Sequence, residues 1–231
     1  MSEEVIHILK EKSESPKLRM DALFKMTENY QPEFFAVFQG LFEDDAEHPD
    51  VRSALALTFG KLGSFVRKEN DNPFLSLLMA YSNDPDVTVR NYIVQALGMI
   101  GREEAIPVLI DALEDDNNFV FHSAADSLGK IGEPAVPHLM ELIDSGADDA
   151  RCIAAWKLGE LQYEGAIPKL ISVIEADENP ELLALCVWAL GEIGYYSDNV
   201  MDVLNAAKIH EHPDVNQRAQ LAIKKIARHC N

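Results

Sequence analysis

Apolar residues recur at helical spacing along nearly the whole chain, and no alternating strand pattern competes with them. In residues 103–116, 133–144 and 164–177, apolar side chains fall at positions i, i+3, i+4 and i+7, with acidic residues or glycine at the start. Each segment carries a proline in its first turn, where the missing amide hydrogen costs little, at Pro107, Pro137 and Pro168. The pattern predicts an all-α protein built from amphipathic helices.

A second helical segment repeats along the chain and carries a glycine at a fixed place. It reads ALTFGKLG at 56–63, VQALGMIG at 94–101 and ADSLGKIG at 125–132, and two further copies follow. The central glycines are 38, 31, 30 and 32 residues apart, at Gly60, Gly98, Gly129, Gly159 and Gly191. A period of this length indicates repeated helical pairs.

An arginine precedes the glycine by eight residues in three of these copies, whereas Phe121 and Leu183 take that place in the other two. A similar segment ending in arginine occurs near each end of the chain, at Arg19 and at Arg218, and adds one repeat at each end. The sequence therefore predicts seven helical pairs. We expect an acidic residue or helix-end carbonyls to accept hydrogen bonds from the repeated arginines, which include Arg52, Arg90 and Arg151.

These units resemble HEAT repeats, and the x-x-A-L-G-x-I-G form with I-P-x-L-I in the partner helix is most similar to the short HEAT-like repeats named after phycobilisome lyases. The resemblance implies a right-handed α-solenoid of about seven stacked pairs, a single domain over residues 1–231 whose second helices line the inner, concave surface. Residues 1–30 lack the A-L-G core, and residues 198–231 carry Ile226 in place of the glycine. We expect both end repeats to act as caps.

Helix geometry separates core from surface in the glycine-containing helices. Counted from the glycine, positions −5, −4, −1 and +2 cluster on one side and predict the core, whereas positions −7, −3 and +1 cluster on the opposite side. Stacked repeats would set these last positions side by side as a partner-binding surface. Its candidate residues are Asn91, Gln95, His122, Asp126, Cys152, Trp156, Glu160, Trp188 and Glu192.

Trp156 and Trp188 are the two tryptophans of the chain, and they hold the same −3 position in adjacent repeats. We expect them to be near neighbours. Exposed indoles at such a place suit an aromatic partner side chain or a flat cofactor. The alternative interpretation is that they cover the seam between repeats.

His122 and Cys152 both hold position −7, and Asp126 lies one turn beyond His122, so a metal-binding cluster is conceivable. One histidine and one cysteine fall short of the four ligands typical of a structural zinc site, so we predict no metal and no other cofactor. The stretch HSAADSLG resembles the HEAAEALG motif of deoxyhypusine hydroxylase, but Ser123 replaces the glutamate. That activity is not expected. The widely spaced Cys152, Cys186 and Cys230 predict reduced thiols.

The chain carries a formal net charge of −19, and residues 101–200, with 5 basic and 20 acidic side chains, contribute −15 of it. Acids gather at residues 113–118, 144–149 and 175–181, which predicts an acidic edge, either simply solvated or steering a basic protein partner. Nucleic acid and anionic membrane surfaces are disfavoured as partners.

No apolar run approaches the roughly 18 residues of a membrane span, and the acidic start argues against a signal peptide, so we expect a cytoplasmic protein.

No nucleophile elbow, phosphate-binding loop or zinc-protease motif occurs in the chain. The leading hypothesis is a non-catalytic scaffold or adaptor that binds another protein on the concave face. The family resemblance implies an alternative, a bilin lyase subunit acting with a partner or a tetrapyrrole-handling factor. A third hypothesis is an assembly factor for metal or iron–sulfur cargo using Cys152 and His122. The pattern carries no signal for or against self-association.

Overall fold

The computed structural model describes residues 3–68 and 70–229, and within these ranges the chain forms fourteen α-helices and no strand. The helices follow one another as seven pairs, which confirms the predicted all-α class and the repeat count. The first four pairs are α1 (Glu3–Lys10) with α2 (Pro16–Glu28), α3 (Phe34–Phe42) with α4 (Pro49–Gly63), α5 (Pro73–Ala80) with α6 (Val87–Ile100), and α7 (Ile106–Asp111) with α8 (Asn118–Ile131). The last three are α9 (Val136–Ser145) with α10 (Asp148–Glu160), α11 (Ile167–Ala176) with α12 (Pro180–Ile193), and α13 (Asp198–Ala207) with α14 (Pro213–His229).

The helices form two compact groups, residues 1–130 and residues 131–231, called here the N-terminal and C-terminal halves. In the N-terminal half, aromatic side chains dominate the core between α3, α4 and α5, where the Phe42 and Phe59 rings meet edge to face with centroids 5.3 Å apart. In the C-terminal half, small and aliphatic residues form the core, many of them on α10 and α12, which pack directly on each other.

Local sequence explains where the helices begin. Side chains of Ser15, Asn72, Asp86, Asn179 and Ser197 accept hydrogen bonds from backbone amides in the first turns of α2, α5, α6, α12 and α13. A short 3₁₀ turn precedes α7, α9 and α11, and each of these helices has proline in its first turn, as the sequence pattern predicted.

Within each half, the repeated glycines lie where one second helix meets the next at backbone distance. A Cβ atom on Gly60 would lie 2.7 Å from the Cα of Ala96, and one on Gly159 would lie 2.8 Å from the Cα of Ala189. Such distances leave no room for a side chain. The A-L-G signature therefore records direct backbone contact between neighbouring repeats, with the glycine of one helix facing the residue two positions before the glycine of the next.

In the last repeat, the position that corresponds to the glycine is not the one predicted from Arg218. Gly191 faces Ala222, so the place of the glycine in α14 falls on Lys224 rather than on Ile226, which is fully buried. The predicted placement of Ile226 is therefore wrong, and Ile226 is instead a core residue of α14.

The repeated arginine is also displaced in this helix. It is the fourth residue of α2, α4, α6 and α10, whereas Arg218 is the sixth residue of α14, roughly 200° further around the helix. The fourth residue is Asn216, whose Nδ2 donates to the carbonyl of Lys208 at the end of α13, while Arg218 pairs with Asp214 on its own helix. Asn216 thus takes the arginine's place.

Candidate partner-binding surface

In the N-terminal half, the predicted site residues form a hydrogen-bonded polar surface on α6 and α8. Gln95 Nε2 donates to Ser123 Oγ at 3.3 Å, and the Ser123 hydroxyl donates to Asn91 Oδ1 at 2.7 Å. His122 and Asp126 are exposed on the same helix as Ser123. Ser123 joins Asn91 and Gln95 into one network. Its position between His122 and Asp126 was the available sequence signal for including it.

In the C-terminal half, both indoles are half-buried and held by neighbouring residues. The Lys157 Nζ atom lies 4.1 Å from the centroid of the Trp156 ring, a cation–π contact. Trp188 packs its Cζ3 edge over Gly159, at the seam where α12 approaches α10. The seam interpretation accounts for the buried part of Trp188, and both tryptophans remain partly exposed.

The two predicted glutamates are already neutralised by lysines. Glu160 is exposed and accepts a hydrogen bond from Lys157 Nζ at 2.8 Å, while Glu192 forms an ion pair with Lys225 on α14. Lys157 contacts both Trp156 and Glu160, so it orders the aromatic and the acidic part of this surface together. Neither lysine was predicted as a site residue. Lys157 holds position −2 of its helix, outside the three predicted surface positions, and Lys225 reaches Glu192 from the next repeat.

The expected surface position of Cys152 is wrong. Its side chain is buried, with 8% of the residue exposed, because α10 packs against both α9 and α12. Burial, with the charge of Glu181 as the next contribution, raises the pKa of the Cys152 thiol to about 11, and burial also raises the pKa of Cys186. Both thiols are free and remain protonated at neutral pH, and Cys230 lies outside the described residues.

Among residues 3–68 and 70–229, no three His, Cys, Asp or Glu side chains converge where they could hold a metal ion. The protonated thiol of Cys152 is also a poor metal ligand, since the thiolate is the form that binds metals. Within the described part of the chain, the geometry therefore does not support a metal-binding cluster of His122, Asp126 and Cys152.

The repeated arginines bind acids of the following repeat, an arrangement called here the arginine ladder. Arg19 pairs with Glu47, Arg52 with Asp84, and Arg90 with Asp115 in the N-terminal half, and Arg151 pairs with Asp177 in the C-terminal half. Each acid lies in the loop before the second helix of the next repeat. The Nε atoms of Arg19, Arg52 and Arg151 also donate to carbonyls of Leu9, Phe42 and Ile143, near the ends of their own first helices.

The arginine ladder shows that some acids of the acidic clusters have a structural role. The hydrogen bond from Arg90 lowers the pKa of Asp115 below its usual range. The pKa of Asp177 is lowered first by the backbone amide of Asn179 and then by Arg151. These two aspartates belong to the structure of the repeats, whereas Asp116 and Asp149 are exposed and remain available to a partner.

Paired helices, glycine contacts between second helices and arginines that bind the next loop define an α-solenoid repeat protein of the HEAT type. The family model for HEAT repeats matches residues 73–158 and 136–224, and the chain belongs to this family. No helix in the described ranges is long and apolar enough to cross a bilayer. The cytoplasmic location stays a prediction.

The relatives of the chain include proteins of the phycobilisome-lyase type. The chain is 28% identical over 167 residues to the uncharacterized phycocyanin operon protein Z of Pseudanabaena tenuis, covering 68% of this chain and 81% of that protein. It is 32% identical over 103 residues to the phycocyanobilin lyase subunit beta of the same organism, covering 45% of this chain and 36% of that subunit. These matches confirm the predicted resemblance to phycobilisome-lyase-type HEAT repeats.

Two solved structures share the fold. One, a structure of Kap95p with RanGDP, superposes with a TM-score of 0.68 at 16% identity, over 97% of this chain and 35% of the matched chain. The other is the complex of CpcE and CpcF of phycocyanin lyase from Nostoc, with a TM-score of 0.50 at 20% identity, over 99% of this chain and 88% of the matched chain. At these identities the likeness shows a common helical-repeat fold.

Proposed function

We propose that this protein is a non-catalytic scaffold that binds a partner protein on the surface formed by its second helices, with Trp156 and Trp188 as anchors. The observation that carries the proposal is the way both indoles are held, Trp156 by Lys157 and Trp188 by the backbone at Gly159. Tryptophan is among the residue types most enriched in the small set that dominates binding energy at protein interfaces.

The charge distribution favours a partner with a basic surface. Residues 101–200 contribute −15 of the net charge of −19, and Asp116 and Asp149 are exposed in two of the acidic clusters. Glu160 and Glu192 already have lysine partners, so they order the surface rather than attract the partner at long range. A polyanion such as nucleic acid would be repelled.

The second candidate function is that of a bilin lyase subunit or tetrapyrrole-handling factor. It is favoured by the relative named phycocyanobilin lyase subunit beta and by the two partly exposed indoles, against which a flat pigment could stack. We do not propose the metal-cargo function, because burial and a raised pKa remove the Cys152 thiol from the surface.

A photo-crosslinking experiment tests the scaffold proposal. A crosslinking amino acid placed at Glu160 captures the partner in cells of the source organism, and mass spectrometry identifies it. The affinity of the purified partner is then measured for Trp156→Ala, for Trp188→Ala and for Tyr196→Ala, a control that removes an exposed ring outside the surface. We expect each tryptophan variant to lose about 2 kcal/mol or more of binding energy, and the control to lose almost none.

Two outcomes decide between the candidates. Equal affinity of the wild type and the double tryptophan variant would contradict the scaffold proposal. Saturable quenching of tryptophan fluorescence by phycocyanobilin, lost in the Trp156→Ala and Trp188→Ala double variant, would instead favour the tetrapyrrole function. Circular dichroism of every variant checks that the helices remain formed.

A further inference from the structure

The arginine ladder is interrupted at Leu183, and a pocket opens there. Leu183 is the fourth residue of α12, the place that Arg151 holds in α10. The pocket has a volume of about 360 Å³, at the small end of the range of about 300–1,000 Å³ found for ligand sites. Its size suits a single long side chain or a compound of similar size.

The walls of this pocket correspond to the groups that surround Arg151. Ile174 and Glu175, near the end of α11, stand where Ile143 near the end of α9 accepts a hydrogen bond from Arg151. His210 stands three residues before α14, as Asp177 stands three residues before α12. Leu183 thus replaces the arginine of this ladder step and His210 replaces the acid, and the pocket lies where the register of the ladder would place an arginine.

The chemistry of the lining suits a cation on an apolar stem. Leu183, Val203, Ala206, Ala207 and Val215 form the apolar part of the wall. Glu175, Asp202, Asn199 and His210 supply the polar groups, and no lysine or arginine lines the pocket. An arginine side chain has an apolar stem and five N–H donors, so it matches both parts of the wall.

A second opening borders the pocket and continues its acidic surroundings. It shares Leu183 and His210 with the pocket and adds the exposed Glu178 and Glu211. A basic segment with its arginine in the pocket would therefore meet further carboxylates in the neighbouring opening. This charge complementarity agrees with the net negative charge of residues 101–200.

We propose that this pocket receives an arginine side chain of the partner protein, which supplies from outside the guanidinium that the ladder lacks at Leu183. The inference rests on the proposed protein-binding function. It adds a second site on the C-terminal half, whose lining includes neither tryptophan. Arginine is preferred over lysine because a guanidinium can bind a helix-end carbonyl and a carboxylate at the same time, as Arg151 does.

A titration with small probes tests the pocket without the partner. N-acetyl-arginine amide, the corresponding lysine amide and the uncharged norleucine amide are added to isotope-labelled protein, and amide shifts are followed by NMR. We expect saturable shifts at Leu183, Ala206 and Val215 with the arginine probe, weaker binding of the lysine probe, and at least about tenfold weaker binding of norleucine, because charge-assisted hydrogen bonds are lost. Equal binding of arginine and norleucine would overturn the proposal.

Two variants locate the probe. Leu183→Arg fills the pocket from within and should abolish binding of the arginine probe, whereas Leu221→Arg adds the same charge to an exposed position of α14 and should leave binding unchanged. If Leu183→Arg fails to fold, Glu175→Gln with Asp202→Asn removes the two negative charges of the lining at nearly constant side-chain volume. Binding of the arginine probe should again fall at least about tenfold. Undiminished binding in a folded Leu183→Arg variant, or in the charge-neutral variant, would refute the site.

The two proposals fail in different ways. The probe titration needs no partner, so its failure would leave the tryptophan surface and the scaffold proposal in place. Loss of the partner in the Leu183→Arg variant but not in Leu221→Arg would link the pocket to the partner. A partner whose affinity depends on the tryptophans but not on Leu183 would overturn the pocket's assignment to that partner.

Discussion

The strongest test of the ladder is its most buried step, Arg19 with Glu47. The Arg19 residue is 2% exposed and the Glu47 side chain 1%, and the guanidinium donates to both carboxylate oxygens, at 2.6 and 2.5 Å. Arg19 Nε also donates to the Leu9 carbonyl at 2.9 Å. We therefore choose two single substitutions, Arg19→Met and Glu47→Leu, together with the double variant.

The expected loss of unfolding free energy depends on whether a substitution leaves a buried charge without its partner. Removing one member of a buried ion pair leaves the other buried and uncompensated, which typically costs about 3–5 kcal/mol of unfolding free energy. Replacing both by apolar residues of similar volume is often close to neutral, so the double variant should be more stable than either single variant. Arg218→Met, which breaks the more exposed pair with Asp214, serves as the control and should cost no more than about 1 kcal/mol.

Urea unfolding followed by circular dichroism measures the four variants against the wild type. Because contacts in a repeat protein are mostly between neighbours, the first repeats can unfold separately, so amide hydrogen exchange in α2 and α4 is measured as well. Single variants that cost no more than the Arg218→Met control, or a double variant as unstable as the sum of the singles, would refute the argument.

The same pair predicts a dependence on acid. Burial raises the pKa of Glu47, but the hydrogen bonds from Arg19 and from the His48 amide outweigh it, and the pKa lies below its ordinary value. The pair's contribution is therefore complete above the unfolded pKa of about 4.3 and disappears as the pH falls through the lower folded pKa. The stability difference between wild type and Glu47→Leu should shrink below pH 4, and a constant difference would contradict this assignment.

Two further predictions concern steering and the first repeat. Asp116→Lys with Asp149→Lys should slow association with a basic partner in stopped-flow measurements, and the difference from wild type should vanish at high salt, since the Debye length falls to about 3 Å at 1 M. Salt-independent association would exclude steering; Asp115 is left unchanged because it holds Arg90. Deletion of residues 1–30 should cause aggregation in size-exclusion chromatography, because it uncovers α4 and leaves the buried Glu47 unpaired, whereas a monodisperse helical product would show that the first repeat is not a cap.

Some site residues were predictable because their environment depends on their own helix. The −3 and +1 places of Trp156, Glu160 and Trp188 follow from 100° of rotation per residue, and the structure leaves each of them at least partly exposed. Cys152 lies on the same predicted side of its helix and is nevertheless buried, because α9 and α12 pack against α10 there. Rotation alone does not contain that information.

The sequence by itself determined the repeat period, the seven helical pairs, the proline starts and the glycines, because each depends on residues close together in the chain. The tertiary structure decided which acid each arginine binds, since Arg19 and Glu47 are 28 residues apart and Arg151 and Asp177 are 26 apart. It also decided that Asn216 replaces an arginine and that Leu183 leaves a pocket. These features arise where two repeats meet, and the geometry of that contact is set by packing rather than by local spacing.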